Sequence, residues 1–157
     1  MNIRYKNGLV ANNFFTPEQT LYEPIVSFKG LTTNKLYSLI MADPNAVGGN
    51  RIHWLVVNIS DSNLKNGKIL LEYKGPAPPQ GSGIHNYIFL LYEQPESILL
   101  GQDERQIDLN SLLKKLGLNE VKSIYTVKFQ SKNMKGGKIK DKTRRRKTRR
   151  RKSRKRY

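Results

Sequence analysis

The chain has 157 residues, a length that suits one domain with a single hydrophobic core. It contains no cysteine, which excludes a disulfide framework, a thiol nucleophile and a thiolate zinc site, and which fits a reducing compartment. No apolar run is long enough to cross a membrane and the first residues lack a signal-peptide core, so we expect an intracellular protein, cytoplasmic or nuclear.

Short runs of β-branched and aromatic residues recur through the first hundred residues. Clusters of Asn, Gly, Asp, Ser and Pro, which favour turns, separate these runs. The sequence therefore predicts strands over residues 25–28, 35–41, 52–59, 69–73 and 87–92. Their number and spacing are typical of an antiparallel β-sandwich.

One α-helix is predicted before the last strand. Asp108 can cap its N-terminus, and Gly117 can adopt the left-handed conformation that ends a helix. The apolar stripe of this helix consists of Leu109, Leu112, Leu113 and Leu116. A final strand is predicted near residues 123–129. The predicted fold is thus mainly β, with one or two short helices.

The two histidines of the chain, His53 and His85, open predicted strands. Alternation places His85 and Tyr87 on one face of their strand, and Phe89 and Leu91 follow on that face. The opposite face is assigned to Ile84, Ile88 and Leu90.

The strand that His53 opens has the same apolar character. Simple alternation places His53 on one face with Leu55, Val57 and Ile59. The opposite face is assigned to Ile52, Trp54 and Val56. Such a pattern predicts a central strand, with the histidine at the mouth of a buried layer.

A carboxylate is predicted near these histidines. Asp43 closes an apolar run and Pro44 cannot donate a ladder hydrogen bond, so the strand should end at Asp43. A carboxylate beside an imidazole fixes its tautomer and favours its charged form. Tyr87 can add a hydroxyl donor, and the glycines and prolines of loop 75–83 can aim main-chain N–H groups at an anion.

Two blocks of the sequence resemble the phosphatidylethanolamine-binding protein family. Residues 36–59 contain ADPNAV followed by IHWLVVNI, and residues 75–94 read GPAPPQGSGIHNYIFLLYEQ. The family carries a D-P-x-A turn after one strand, a histidine opening the next, and a G-x-x-P-P-x-G-x-G-[IL]-H-x-Y run. The resemblance implies a β-sandwich that binds phosphate-type groups, including the phosphatidylethanolamine headgroup, in a small cavity. The matching positions are Asp43, His53, Gly75, Ala77, His85 and Tyr87.

The rim of the implied cavity departs from the family pattern. Asn45 stands where the family usually has a second aspartate, and Val47 where it has proline. Asn86 replaces an arginine that usually follows the histidine, and Ala77 replaces a frequent glycine. The segment from residue 43 to residue 53 is also shorter than usual. The added methyl group of Ala77 predicts a tighter cavity and weak binding of bulky headgroups.

The end of the chain carries most of its charge of +17. Residues 132–157 contain 16 Lys or Arg and one acidic residue, whereas residues 1–131 hold 13 basic and 11 acidic residues. The sequence predicts a domain over residues 1–131 and a disordered tail over residues 132–157. Similar tails occur on many proteins of large DNA viruses, which would place the protein in a host cytoplasm or virion. The tail's candidate contacts to nucleic acid or an anionic membrane are Arg144, Arg145, Arg146, Arg149, Arg150 and Arg151.

Three functions remain open. The first is non-enzymatic binding of a phosphate-type anion or phospholipid headgroup, without a cofactor; family resemblance adds regulation of a partner such as a kinase or protease. The second is a nucleic-acid or virion-associated protein that acts through its basic tail. The third is a metal-dependent enzyme using Asp43, His53 and His85 as an iron site. No nucleophile elbow or suitable acidic pair indicates hydrolysis, and the shared face of His85 and Tyr87 favours the first function.

Overall fold

The computed structural model describes residues 1–100 and 107–134. Within this part of the chain there are nine strands, one α-helix and two short 3-10 helices. The strands are β1 (Asn2–Tyr5), β2 (Gly8–Leu9), β3 (Phe14–Phe15), β4 (Ile25–Ser27), β5 (Leu36–Asp43), β6 (Arg51–Ile59), β7 (Lys68–Leu71), β8 (His85–Gln94) and β9 (Tyr125–Ser131). The helix is α1 (Leu109–Lys115), and the 3-10 helices are Pro17–Thr20 and Leu64–Asn66.

The strands form two sheets that pack as a β-sandwich, so the predicted fold class is confirmed. The large sheet has the order β3-β9-β8-β5-β6-β7, and the small sheet has the order β2-β1-β4. Neighbouring strands are antiparallel except for β3, which pairs parallel to β9.

The large sheet is buried on both faces. One face packs against the small sheet in a layer that includes Tyr5, Trp54 and Phe129. The other face packs against α1 through Leu112 and Leu116. Burial of a large apolar side chain stabilises a fold by roughly 1.5–3 kcal/mol. The central strands β5, β6 and β8 therefore hold the side chains at their ends in fixed positions.

The predicted helix is confirmed, including both of its ends. The Asp108 carboxylate accepts hydrogen bonds from the N–H groups of Asn110 and Ser111, at 3.0 and 3.1 Å. Gly117 has a φ of +68°, the left-handed conformation that a glycine adopts without steric cost. The leucine stripe packs onto the large sheet as predicted.

The predicted strands correspond to β4 through β9, with ends that differ by a few residues. The faces predicted for β8 are confirmed for Tyr87, Phe89 and Leu90. The assignment of Ile84 to a buried face is wrong, because this residue precedes β8 and is half exposed.

A β-bulge in β6 also makes the predicted face of His53 wrong. Trp54 and Ile52 pair with consecutive residues of β5, so His53 is an extra residue between them. The His53 ring packs edge-on against Tyr87, with ring centroids 5.2 Å apart. His53 therefore lies in the layer between the sheets, and Leu55 lies on the α1 side.

A second bulge, near the end of β6, is held by a buried amide network. Asn58 has a φ of +56°, and its Oδ1 accepts hydrogen bonds from Gln94 Nε2 and from the Ile98 N–H, both at 2.8 Å. Ser38 Oγ donates to Gln94 Oε1 at 2.8 Å. The bulge moves Ile59 into the layer between the sheets, where simple alternation did not place it.

Candidate functional site

A cavity of ≈ 330 Å³ lies where β5 ends and where β6 and β8 begin. Small-molecule sites usually measure roughly 300–1,000 Å³, so this cavity suits a headgroup-sized ligand. The structure brings together all six residues that the sequence singled out as ligand-binding. They are Asp43, His53, Gly75, Ala77, His85 and Tyr87.

A buried histidine–carboxylate pair forms part of the cavity wall. His85 Nδ1 lies 2.7 Å from Asp43 Oδ2, and the two side chains are 3% and 4% exposed. Because a carboxylate oxygen accepts the hydrogen bond, Nδ1 carries a proton and Nε2 is the ring nitrogen that can contact a ligand. Asp43 Oδ1 accepts the Asn45 N–H at 2.8 Å, which fixes the carboxylate at the end of β5.

The second histidine is anchored by the main chain. His53 Nδ1 lies 2.7 Å from the Lys74 carbonyl oxygen, and the Lys74 N–H donates to the His53 carbonyl at 2.9 Å. A carbonyl only accepts hydrogen bonds, so His53 Nδ1 also carries a proton. The bulge and this contact together place the imidazole in the cavity wall.

Tyr87 lies between the two imidazoles. Its ring centroid is 5.2 Å from that of His53 and 6.5 Å from that of His85. The pKa of its hydroxyl lies well above its ordinary range, first because the hydroxyl is buried and second because the Asp43 carboxylate is close; Arg51 acts in the opposite direction. The phenol therefore stays protonated and remains a hydrogen-bond donor at physiological pH.

Gly75 fixes the loop that closes one side of the cavity. A Cβ atom at this position would clash with the Thr20 carbonyl oxygen of the first 3-10 helix. The Tyr73 hydroxyl donates a hydrogen bond to the same oxygen at 2.7 Å, and the Tyr5 hydroxyl oxygen lies 2.8 Å from that of Tyr73. Gly75 thus permits a close approach of two main-chain segments.

Replacement of Gly75 by alanine is expected to destabilise the protein by roughly 1–3 kcal/mol, the usual effect of overpacking. The loop must move away from Thr20, so Ala77 should also shift relative to the cavity. Urea denaturation measures the loss of stability. Gln80→Ala, an exposed change in the same loop, is the control and should leave stability unchanged. A Gly75→Ala protein as stable as the wild type would contradict the close contact.

Asn45 and Asn86, two of the residues that depart from the family pattern, contact each other directly. Asn45 Oδ1 accepts hydrogen bonds from the Asn86 N–H at 2.7 Å and from Asn86 Nδ2 at 3.0 Å. Gln130 Nε2 donates to Asn86 Oδ1 at 3.0 Å. A neutral amide pair therefore stands where the family pattern has an aspartate and an arginine, and the rim keeps its net charge but loses two charged groups.

Two cationic residues at the cavity were missed by sequence reasoning. Arg51 and Lys74 line the cavity and are exposed to solvent. Arg51 pairs in register with Asp43 across β5 and β6, and Lys74 directly precedes Gly75. The pairing of β5 with β6 in a hairpin could have placed Arg51 at the cavity. The bulge in β6 shifts that pairing, however, and the bulge is not visible in the sequence.

The iron-site hypothesis finds no support in the side-chain geometry. Among residues 1–100 and 107–134, no three His, Cys, Asp or Glu side chains are arranged to hold a metal ion. The Asp43 oxygens instead contact His85 and the Asn45 main chain.

No helix among residues 1–100 and 107–134 is long and apolar enough to cross a membrane.

The tail arginines, from Arg144 to Arg151, lie outside the described residues. The described part of the chain ends at Met134, three residues after β9. Binding of nucleic acid or membrane by the tail therefore stays a prediction from its charge.

Fold and cavity together define a β-sandwich protein with an acid–histidine cavity at one end of its central sheet. Residues 10–140 match the family model described as phosphatidylethanolamine-binding protein. The match covers most of the chain, and the protein belongs to this family.

Two solved structures share the fold. One is a carboxypeptidase Y inhibitor in complex with its cognate proteinase, with a TM-score of 0.70, 21% identity, and coverage of 84% of this chain and 82% of that chain. The other is a phosphatidylethanolamine-binding protein from Plasmodium vivax, with a TM-score of 0.69, 22% identity and coverage of 84% of each chain. These identities support the fold alone.

A curated relative is more similar in sequence. The 26 kDa secreted antigen of Toxocara canis is 33% identical over 106 residues. The match covers 62% of this chain and 40% of the antigen. The matched region thus spans less than half of that relative.

Proposed function

We propose that the protein is a non-enzymatic binding module that holds a phosphate-type anion, free or as a phospholipid headgroup. The observation that carries this proposal is the His85–Asp43 pair, which lines one cavity with His53 and Tyr87. The cavity volume and the described binding activity of the family support it. Imidazolium and phenol groups are suitable donors to phosphate oxygens.

The charges around the cavity determine when an anion binds. The Asp43 carboxylate repels an anion, and a protonated His85 offsets that charge. Arg51 and Lys74 add two positive charges at the rim. Protonation of a histidine side chain adds positive charge to the cavity wall, and so lower pH is expected to favour anion binding.

Sulfate is expected to bind more tightly at pH 5.5 than at pH 8, by about tenfold or more, because a charge-assisted hydrogen bond contributes roughly 1.5–3 kcal/mol. Sulfate is chosen because it keeps its own charge over this range, whereas phosphate does not. Titration calorimetry at several pH values measures the affinity, and NMR follows both imidazoles. An affinity that does not change with pH, or imidazole signals that sulfate leaves unmoved, would contradict the proposal.

The headgroup preference is proposed to depend on Ala77. Ala77 lines the cavity, at a position where many family members have glycine. Ala77→Gly is expected to improve the affinity for O-phosphorylethanolamine by about three- to tenfold and to leave the affinity for inorganic phosphate nearly unchanged, since relief of overpacking contributes roughly 1 kcal/mol or more. Competition calorimetry measures both. Equal improvement for the two ligands would argue against a steric role.

Regulation of a partner protein is a second candidate function. The carboxypeptidase Y inhibitor, which shares this fold, binds a proteinase. Three exposed apolar side chains also lie near the cavity: Val47 lines it, and Leu21 and Tyr22 directly follow Thr20, which contacts Gly75. Exposed apolar groups beside a polar cavity are typical of a contact surface. A protease or kinase is the expected class of partner.

A further inference from the structure

Two cations at the histidine cavity have fixed main-chain positions. Arg51 pairs in register with Asp43 where β6 begins, and it lines the cavity. The Lys74 carbonyl oxygen accepts a hydrogen bond from His53 Nδ1 and the Lys74 N–H donates to the His53 carbonyl, so this lysine is also anchored at the cavity wall. In the part of the chain that the structure describes, neither cation forms a salt bridge. Both charges are therefore available to a ligand.

The charge of Arg51 reaches the interior of the cavity. The pKa of the Tyr87 hydroxyl is raised first by burial and second by the Asp43 carboxylate, and Arg51 acts in the opposite direction. Tyr87 is buried and lies between the two imidazoles, whereas Arg51 is exposed. A guanidinium that acts on this buried hydroxyl also acts on a ligand bound beside it.

A single carboxylate opposes these cations. Asp43 is the one acidic residue among the described residues that line the cavity. Both of its carboxylate oxygens already accept hydrogen bonds, one from His85 Nδ1 and the other from the Asn45 N–H. With neutral imidazoles the lining carries two positive charges and one negative charge, a net charge of +1, and each protonated imidazole adds one more. The lining therefore favours negative charge on a ligand and disfavours an ammonium group.

We propose that Arg51 and Lys74 make the cavity selective for phosphate monoesters that lack an ammonium group, and against zwitterionic headgroups such as that of phosphatidylethanolamine. This inference rests on the proposed anion binding and names the ligand class of that site. A phosphate monoester carries about 1.5 to 2 negative charges at neutral pH, more than the single charge of a phosphodiester. The ammonium group of phosphatidylethanolamine is repelled by both cations. A free monoester and a monoester lipid headgroup share the required chemistry.

Monoethyl phosphate and O-phosphorylethanolamine form a matched pair, because they differ only by an ammonium group in place of a hydrogen atom. At pH 7.5 we expect monoethyl phosphate to bind the full chain about fivefold or more tightly. Monomethyl phosphate should likewise bind about fivefold or more tightly than dimethyl phosphate, a monoanionic diester. The affinities are taken from the NMR shifts of the His53 and His85 imidazole signals, so binding to the basic tail does not contribute.

Two substitutions test whether the cations cause the preference. Arg51→Gln and Lys74→Gln should each reduce the preference for monoethyl phosphate over O-phosphorylethanolamine by about twofold or more, and the double variant should abolish it. Arg4→Gln and Lys122→Gln are the matched controls, since both residues are exposed and neither lines the cavity, and they should keep the wild-type preference. A wild-type preference in the double variant would contradict the role of the two cations.

Short-chain lipids distinguish a lipid headgroup from a free monoester. Dihexanoyl phosphatidic acid, kept below the concentration at which it forms micelles, is compared with glycerol phosphate. Binding of the lipid that is tighter by about tenfold or more would identify a lipid headgroup, because its chains then contact the protein, and equal affinity would identify a free monoester. Both outcomes support the proposal. Dihexanoyl phosphatidylethanolamine that binds as tightly as dihexanoyl phosphatidic acid would overturn it.

Sulfate separates a failure of this inference from a failure of the proposed anion site, because it carries two negative charges and no ammonium group. Suppose that sulfate moves the imidazole signals and that O-phosphorylethanolamine binds as tightly as monoethyl phosphate. The anion site then stands and the selectivity is overturned. If sulfate leaves the signals of both imidazoles unmoved, the anion site and the selectivity are overturned together.

Discussion

Replacement of His85 by alanine is expected to lower the affinity for sulfate at pH 6 by at least about tenfold, because it removes a charge-assisted hydrogen bond. It also leaves the Asp43 carboxylate, which is 4% exposed, without its histidine partner in the cavity wall. Loss of one partner from a buried pair costs roughly 3–5 kcal/mol of stability. Titration calorimetry and urea denaturation measure the two effects.

The matched control is His53→Ala, which should have smaller effects on both quantities. His53 Nδ1 contacts the neutral Lys74 carbonyl, so its removal leaves no buried charge behind. The double variant Asp43→Asn/His85→Ala should regain part of the stability, because the uncompensated charge is gone, but should not regain the affinity. A His85→Ala protein that binds sulfate as tightly as the wild type would rule out the histidine cavity as the anion site.

The longer strands could be predicted because their patterns are local. β5, β6 and β8 are runs of eight to ten residues that are buried almost throughout, and such runs are visible in the sequence. The strands β1, β2 and β3, which have two to four residues, were not predicted. β3 exists because it pairs with β9, more than a hundred residues later, and a local pattern does not contain that contact.

Some residues of the candidate site could likewise be placed from the sequence, and others depend on contacts with distant elements. Asp43 and His85 lie at strand ends where the register is regular, so their meeting could be predicted from strand order and family resemblance. The face of His53 could not, because the bulge becomes visible only when β6 is paired with β5. The steric role of Gly75 depends on Thr20, which belongs to another element, so this role could not be predicted from the local sequence.

Removal of the basic tail is expected to abolish most of the affinity for duplex DNA, RNA and anionic membranes while sulfate binding is kept. Residues 135–157 contain 15 Lys or Arg and one acidic residue, whereas the rest of the chain is close to neutral. The chain should be shortened after Met134 and not after Ser131, because Ser131 is buried and pairs with His85, where a new terminal carboxylate would disturb the cavity.

The salt dependence of DNA binding distinguishes a charge effect from a specific contact. For the full chain, log K should fall linearly with log salt concentration, with a slope of about −0.9 for each phosphate neutralised, and unrelated duplex sequences should bind equally well. The chain shortened after Met134 should show a slope near zero and at least about tenfold weaker binding at low salt. Filter binding or anisotropy at several salt concentrations measures both slopes. Equal affinity and equal slope for the two proteins would assign DNA binding to the β-sandwich, and the tail would then have no part in it.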